Sequence, residues 1–221
     1  MTALNQFTRN VDASVKLVAM YRQLRAFRKL GARGSLSLEN QDLLWLPRSA
    51  VVAAISALDT YVHSIVKSRL PHFFTPGSAI PDSLAEQFAL VMPIRNANGF
   101  RQAVPLLIAH DTVTQLLRKL EDSYLQFQSF QAPEKIIEAY KLIGVDDVFQ
   151  LVSELWPGPN TSPEDLKRRL AGYVRRRNQI AHEGDLEANG KQRPMQPEYA
   201  IQCQEFLTSL VNRLNQVMNA H

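Results

Sequence analysis

A chain of 221 residues that is 45% hydrophobic and 21% charged, with only 9 glycines and no low-complexity tract, has the composition of a packed globular protein rather than a disordered or fibrous one. Its single cysteine, Cys203, leaves no internal disulfide and, with 5 scattered histidines, no tetrahedral metal set, so a reducing cytoplasmic setting is expected and no cofactor is implied. A net charge of +4 and a pI near 9.3 favour a polyanionic partner without requiring one.

The opening residues Met1-Thr2-Ala3-Leu4-Asn5 lack the basic-then-apolar order of a secretory leader, and no apolar run approaches the roughly 20 residues of a membrane span, so no membrane partner is expected. From Thr8 to Leu30, Val11, Val15, Val18, Tyr21, Leu24 and Phe27 recur at helical spacing, which predicts an amphipathic helix ended by Gly31 and Gly34. Residues 1–38 are read as an N-terminal helical extension and residues 39–221 as one helical domain. The most apolar helix is predicted from Glu39 to Leu70, with Val52, Ile55, Val62 and Val66 on one stripe and Pro47 near its start or at a kink.

Between Pro71 and Gly99 the prolines Pro71, Pro76, Pro81 and Pro93 predict short helical pieces, chiefly Ser83 to Leu90. Arg95 to Arg101 reads as a turn, and a helix from Phe100 to Ile108 would be kinked or shortened by Pro105. Helices follow over Thr112 to Phe130, Pro133 to Leu142 and Asp146 to Leu155, the last two parted by Gly144. After the break at Trp156-Pro157-Gly158-Pro159-Asn160, Ser162-Pro163-Glu164-Asp165 supplies an N-cap, a first-turn proline and early acids for a helix running to His182, with Gly184 as its stop. A final helix is expected from Tyr199 to Met218. No segment shows convincing period-two alternation, so the chain reads as all-α.

The helix ending at His182 carries the chemistry. Its apolar stripe runs Leu166, Leu170, Tyr173, then position 177, then Ile180, and position 177 is Arg. A guanidinium on that stripe is either a member of a structural ion pair or a phosphate ligand, because an unpaired buried charge is costly. Asp59 interrupts the apolar stripe of the second helix in the same way, and we expect it to pair with or orient Arg177. Arg177 and His182 lie about 140° apart on an ideal helix, whereas Asn178 and His182 share a face. Convergence of Arg177 on His182 therefore needs a helix ending near His182, the long arginine stem, or a second copy of the helix across a dimer interface. Lys167, Arg168, Arg169, Arg175 and Arg176 add a basic surface that could follow a phosphate backbone.

The run Arg177-Asn178-Gln179-Ile180-Ala181-His182 resembles the hallmark of the HEPN superfamily, an Arg, four to six residues, then a His, with a polar residue after the Arg. Arg48-Ser49-Ala50 through Ser56-Ala57-Leu58-Asp59-Thr60-Tyr61-Val62-His63 and Ile143-Gly144-Val145-Asp146-Asp147-Val148-Phe149 extend the likeness to the RiboL-PSP type, over most of Asp42 to Met218. The resemblance implies a helical bundle, a homodimer that joins two motifs, and metal-independent cleavage of RNA, with Arg177 and His182 catalytic. It further implies a role as toxin or effector in anti-phage defence, with an antitoxin or sensor encoded nearby. Members controlled by tyrosine modification carry Tyr two residues after the motif His; Gly184 stands there, so that control is not expected. The competing readings are a non-catalytic module binding RNA, a nucleotide or a protein, and a helical adaptor in which Arg177 and Asp59 are an ordinary buried pair. His63, His72, His110 and His221 receive no role, although His63 lies one turn from Asp59, and Tyr61 and Tyr173 read as core.

Overall fold

The computed structural model describes residues 2–31, 34–92, 94 and 96–220. Pro93, Arg95 and His221 lie outside them. Nine α-helices occur among the described residues, with one isolated bridge between Leu186 and Gln192 and no strand, so the fold is all-α. They are α1 (Ala3–Phe27), α2 (Trp45–Arg69), α3 (Asp82–Val91), α4 (Ala97–Leu107), α5 (Thr112–Ser123), α6 (Pro133–Lys141), α7 (Val148–Glu154), α8 (Pro163–His182) and α9 (Pro197–Ala220). The chain divides into two compact units, where the sequence reading expected one helical domain behind an extension.

The first unit comprises Met1–Tyr61, Gln131–Pro133 and Phe149–His221. Within it α1 packs on α9 and on a 3₁₀ turn, Leu38–Leu44, so the N-terminal helix is integral to the unit rather than an appendage. A buried polar link holds it: the Ser14 hydroxyl donates to the Ala50 carbonyl at 2.6 Å and accepts from Gln204 Nε2 at 2.7 Å. α1 stops earlier than its glycines suggested. Lys29, at φ 56°, takes the left-handed position, Leu30 N–H donates to the Arg25 carbonyl at 2.9 Å, and the Arg25 guanidinium reaches the carbonyls of Gly31 and Gly34. The closing helix α9 buries Cys203, Phe206, Leu207, Leu210, Leu214 and Met218. Burial pushes the Cys203 thiol up to about 12, so the lone cysteine acts as a small apolar core residue.

The second unit comprises Val62–Phe130 and Glu134–Val148. Here α5 packs against α3, α4 and a 3₁₀ turn at Leu70–Phe74. The helix predicted from Thr112 to Phe130 breaks at Tyr124 (φ −137°, ψ −63°). Leu120 and Leu125, both buried, stand five apart and would diverge by about 140° on an unbroken helix; the break lets both face the core. α4 starts at Ala97, capped by Asn96 Oδ1 accepting from Gly99 N–H at 2.8 Å, and runs through Pro105 to Leu107, so residues 97–101 are helical rather than a turn. Gly144, at φ 79°, supplies the left-handed residue after α6.

Against expectation, the helical stretch Leu38–Phe74 holds a window of hydropathy 1.4, long and apolar enough to cross a membrane. That window is 56% buried within the protein, as for a core helix.

Candidate active site

α8 begins as its sequence signals dictate: Ser162 Oγ accepts from Asp165 N–H at 3.2 Å and donates to the Asp165 carboxylate at 2.7 Å, with Pro163 in the first turn. That hydroxyl, followed by Arg168, holds the Asp165 carboxyl below its usual range. The buried face of α8 is Leu166, Leu170, Tyr173, Val174 and Ile180, and the Tyr173 ring meets those of Tyr199 and Phe206 on α9 at 5.4 and 5.6 Å. Burial raises the pKa of both phenols, that of Tyr199 to about 12.

Arg177 sits on this face, half-buried, while His182 ends the helix exposed. Arg177 Nη1 lies 3.4 Å from His182 Nε2 and donates to Asn178 Oδ1 at 3.1 Å. The long arginine stem and the helix end thus bring the two side chains together within one chain. A guanidinium can only donate, so this contact calls for a lone pair on Nε2, the neutral imidazole with its proton on Nδ1. Arg177 Nε is buried without a hydrogen-bond partner, and among the described residues no acidic side chain pairs with Arg177. Asp59, expected to pair with or orient Arg177, accepts from Gln131 Nε2 at 3.2 Å.

The buried carboxylate beside α8 is Asp185, fully enclosed and in the left-handed region at φ 59°. It accepts from Arg48 Nε at 2.5 Å and from Arg176 Nη2 at 2.9 Å, with Arg176 Nη1 2.5 Å away. Arg48, 1% exposed at the start of α2, also donates to the Arg193 carbonyl at 2.7 Å, and Arg176 to the Pro194 carbonyl at 2.8 Å. Burial lowers the Arg176 pKa, opposed by Asp185 and reinforced by Arg48. Loss of one partner from such a buried cluster costs about 3–5 kcal/mol.

The sequence profile of the RiboL-PSP-HEPN family matches residues 21–220. The chain belongs to the RiboL-PSP-HEPN family. No curated protein and no solved structure gives a match. HEPN membership points to ribonuclease-like or nucleotide-binding function. The matched region starts inside α1, so the HEPN domain takes in part of what the sequence reading set aside as an extension.

On this HEPN scaffold the basic residues of α8 separate into distinct roles. Arg176 is committed to Asp185 rather than offered to a ligand. Arg168 pairs with Asp165, and Lys167 lies 3.9 Å from Glu164 and 5.9 Å from the Phe149 ring centre. Arg169 lies over Phe206 at 4.6 Å. Arg175 is exposed and forms no ion pair among the described residues, which leaves it the most available cation of the group. Beside the Arg177–His182 pair the structure also places Arg48 and Asp185, to which the sequence reading gave no role. Arg48 stands four residues before Val52 on the apolar stripe of α2, the same irregularity that singled out Asp59, so its charge was a readable signal. Asp185 follows Gly184 in a loop, where nothing local marks a buried acid.

Proposed function

We propose that the protein is a metal-independent endoribonuclease whose composite site forms between two copies of the chain. The observation that carries this reading is the Arg177–His182 contact of 3.4 Å, solvent-facing at the imidazole and without a carboxylate on the arginine. A phosphodiester is the ligand that a guanidinium lacking an anionic partner takes up, through paired charge-assisted hydrogen bonds. The neutral imidazole accepts the proton of a ribose 2′-OH; the 2′-oxygen attacks phosphorus, the bond to the 5′-oxygen breaks, and the His182 imidazolium of the second copy protonates that leaving oxygen. The products are a 2′,3′-cyclic phosphate and a 5′-hydroxyl. DNA, which has no 2′-OH, is spared. Arg177 holds the phosphate and stabilises the charge that develops on it, with Asn178 fixing its Nη1. A toxin or defence effector acting in the cytoplasm, held in check by a protein encoded nearby, is the setting such an activity suits.

The test is incubation of wild-type and His182→Ala protein with a mixed RNA pool and matched DNA in EDTA, with analysis of fragment ends. RNA cut by the wild type alone, leaving cyclic-phosphate ends, is the expected result. Equal cleavage by His182→Ala protein would remove His182 from the chemistry, and RNA bound but intact would favour a binding module.

A further inference from the structure

The chain after α8 doubles back on itself and is tied down at one residue. Gln179 O accepts from both Glu183 N–H at 3.1 Å and Asp185 N–H at 2.9 Å, and the Asp185 carbonyl accepts from Arg193 N–H at 2.8 Å. Beyond it Leu186 bridges Gln192, and Glu187 N–H donates to the Lys191 carbonyl at 2.7 Å around a turn with Gly190 at φ 78°. Asp185 therefore closes the helix end with its backbone and grips Arg48 and Arg176 with its carboxylate. Those two arginines in turn hold the returning chain by the carbonyls of Arg193 and Pro194. A second pair, Arg193 with Glu183 at 3.0 Å, ties the same return to the residue next to His182.

From this we propose that Asp185, acting through Arg48 and Arg176, is the positioning residue of the site: the clamp fixes the last turn of α8 and so sets the His182 imidazole against Arg177. The inference rests on the ribonuclease reading for its kinetic consequence only. Five residues of helix place Arg177 and His182 on divergent faces, and their contact survives only while the helix ends at His182 with the following backbone held in the left-handed conformation that Gly184 (φ 61°) and Asp185 adopt. A non-glycine residue keeps that backbone when its surroundings compel it, and here two guanidinium groups do so.

Arg176→Gln tests the clamp at the milder end of the cost given above, because Arg48 and Asp185 remain as a buried pair, and circular-dichroism melting first sets the temperature at which the variant is folded; Asp185→Asn is the companion variant. The expected result for Arg176→Gln is a fall in kcat of roughly tenfold to a hundredfold, the scale of misplacement by about an ångström, with KM changed less than about twofold. The His182 ring resonance, followed by proton–carbon NMR against pH well below the melting temperature, shifts from its wild-type titration in both variants. A raised KM with unchanged kcat would make Arg176 an RNA contact and overturn the inference, as would a His182 resonance identical to wild type in folded variants. Should wild-type protein leave RNA intact, the ribonuclease reading falls, while the His182 resonance still decides on the clamp.

Discussion

At the residue scale the argument turns on what Arg177 lacks. Arg48 and Arg176 share the buried Asp185 carboxylate, whereas Arg177, next to Arg176 on α8 and half-buried, meets among the described residues an amide oxygen and an imidazole nitrogen. A structural arginine and a ligand-binding one therefore respond differently to substitution. Removing Arg177 strands no acid, so Arg177→Lys should leave the thermal midpoint close to wild type, while kcat for RNA cleavage falls about a hundredfold because a point ammonium cannot reproduce the bidentate hold on phosphate. Circular-dichroism melting beside single-substrate kinetics separates the two effects. A large loss of stability with Arg177→Lys would place Arg177 in the core framework instead and return weight to the helical-adaptor reading.

At the scale of elements, the helices that were legible are those whose ends are set by neighbours in sequence. α8 begins at Pro163 and ends at His182, as expected, because Ser162, Pro163 and Asp165 form its cap locally and Gly184 follows it. α1 and α5 end where no capping pattern announces it: Lys29 turns left-handed while Arg25 gathers the carbonyls of Gly31 and Gly34, and Tyr124 breaks α5 so that Leu125 can be buried. The candidate site divides in the same way. Arg177, Asn178 and His182 lie within one hexapeptide and could be read directly, but Asp185 meets Arg48 across 137 residues, and no periodicity shows such a pairing. Part of the anchorage of α1 was hidden for a related reason, since beside its apolar stripe it is held by a buried hydroxyl that pattern reading counts as polar. Ser14→Ala takes the acceptor from the buried Gln204 amide and should cost about 1–3 kcal/mol. Urea denaturation gives the value, and a change within about 0.5 kcal/mol, typical of a surface substitution, would mean that α1 is held by apolar packing alone.

At the scale of the whole molecule, acid and base must both be present when the 2′-oxygen attacks, yet each chain brings one motif histidine, whose Nε2 lies 3.4 Å from Arg177 Nη1. A single copy thus offers the base and leaves the acid unaccounted for, whereas two copies joined at this surface offer both. On the proposed composite site the inactive variant is a poison. When His182→Ala protein is mixed in excess with wild type and the subunits exchange, most wild-type chains enter mixed dimers holding one imidazole, and cleavage per wild-type chain should fall towards that of the variant. If each chain carried a complete site, the added variant would leave the rate per wild-type chain unchanged. Cleavage measured across a titration of His182→Ala, with subunit exchange followed by a fluorescent label on one population, distinguishes the two: a fall that tracks the fraction of mixed dimers supports the composite site, and a flat line assigns both proton transfers to groups within one protomer.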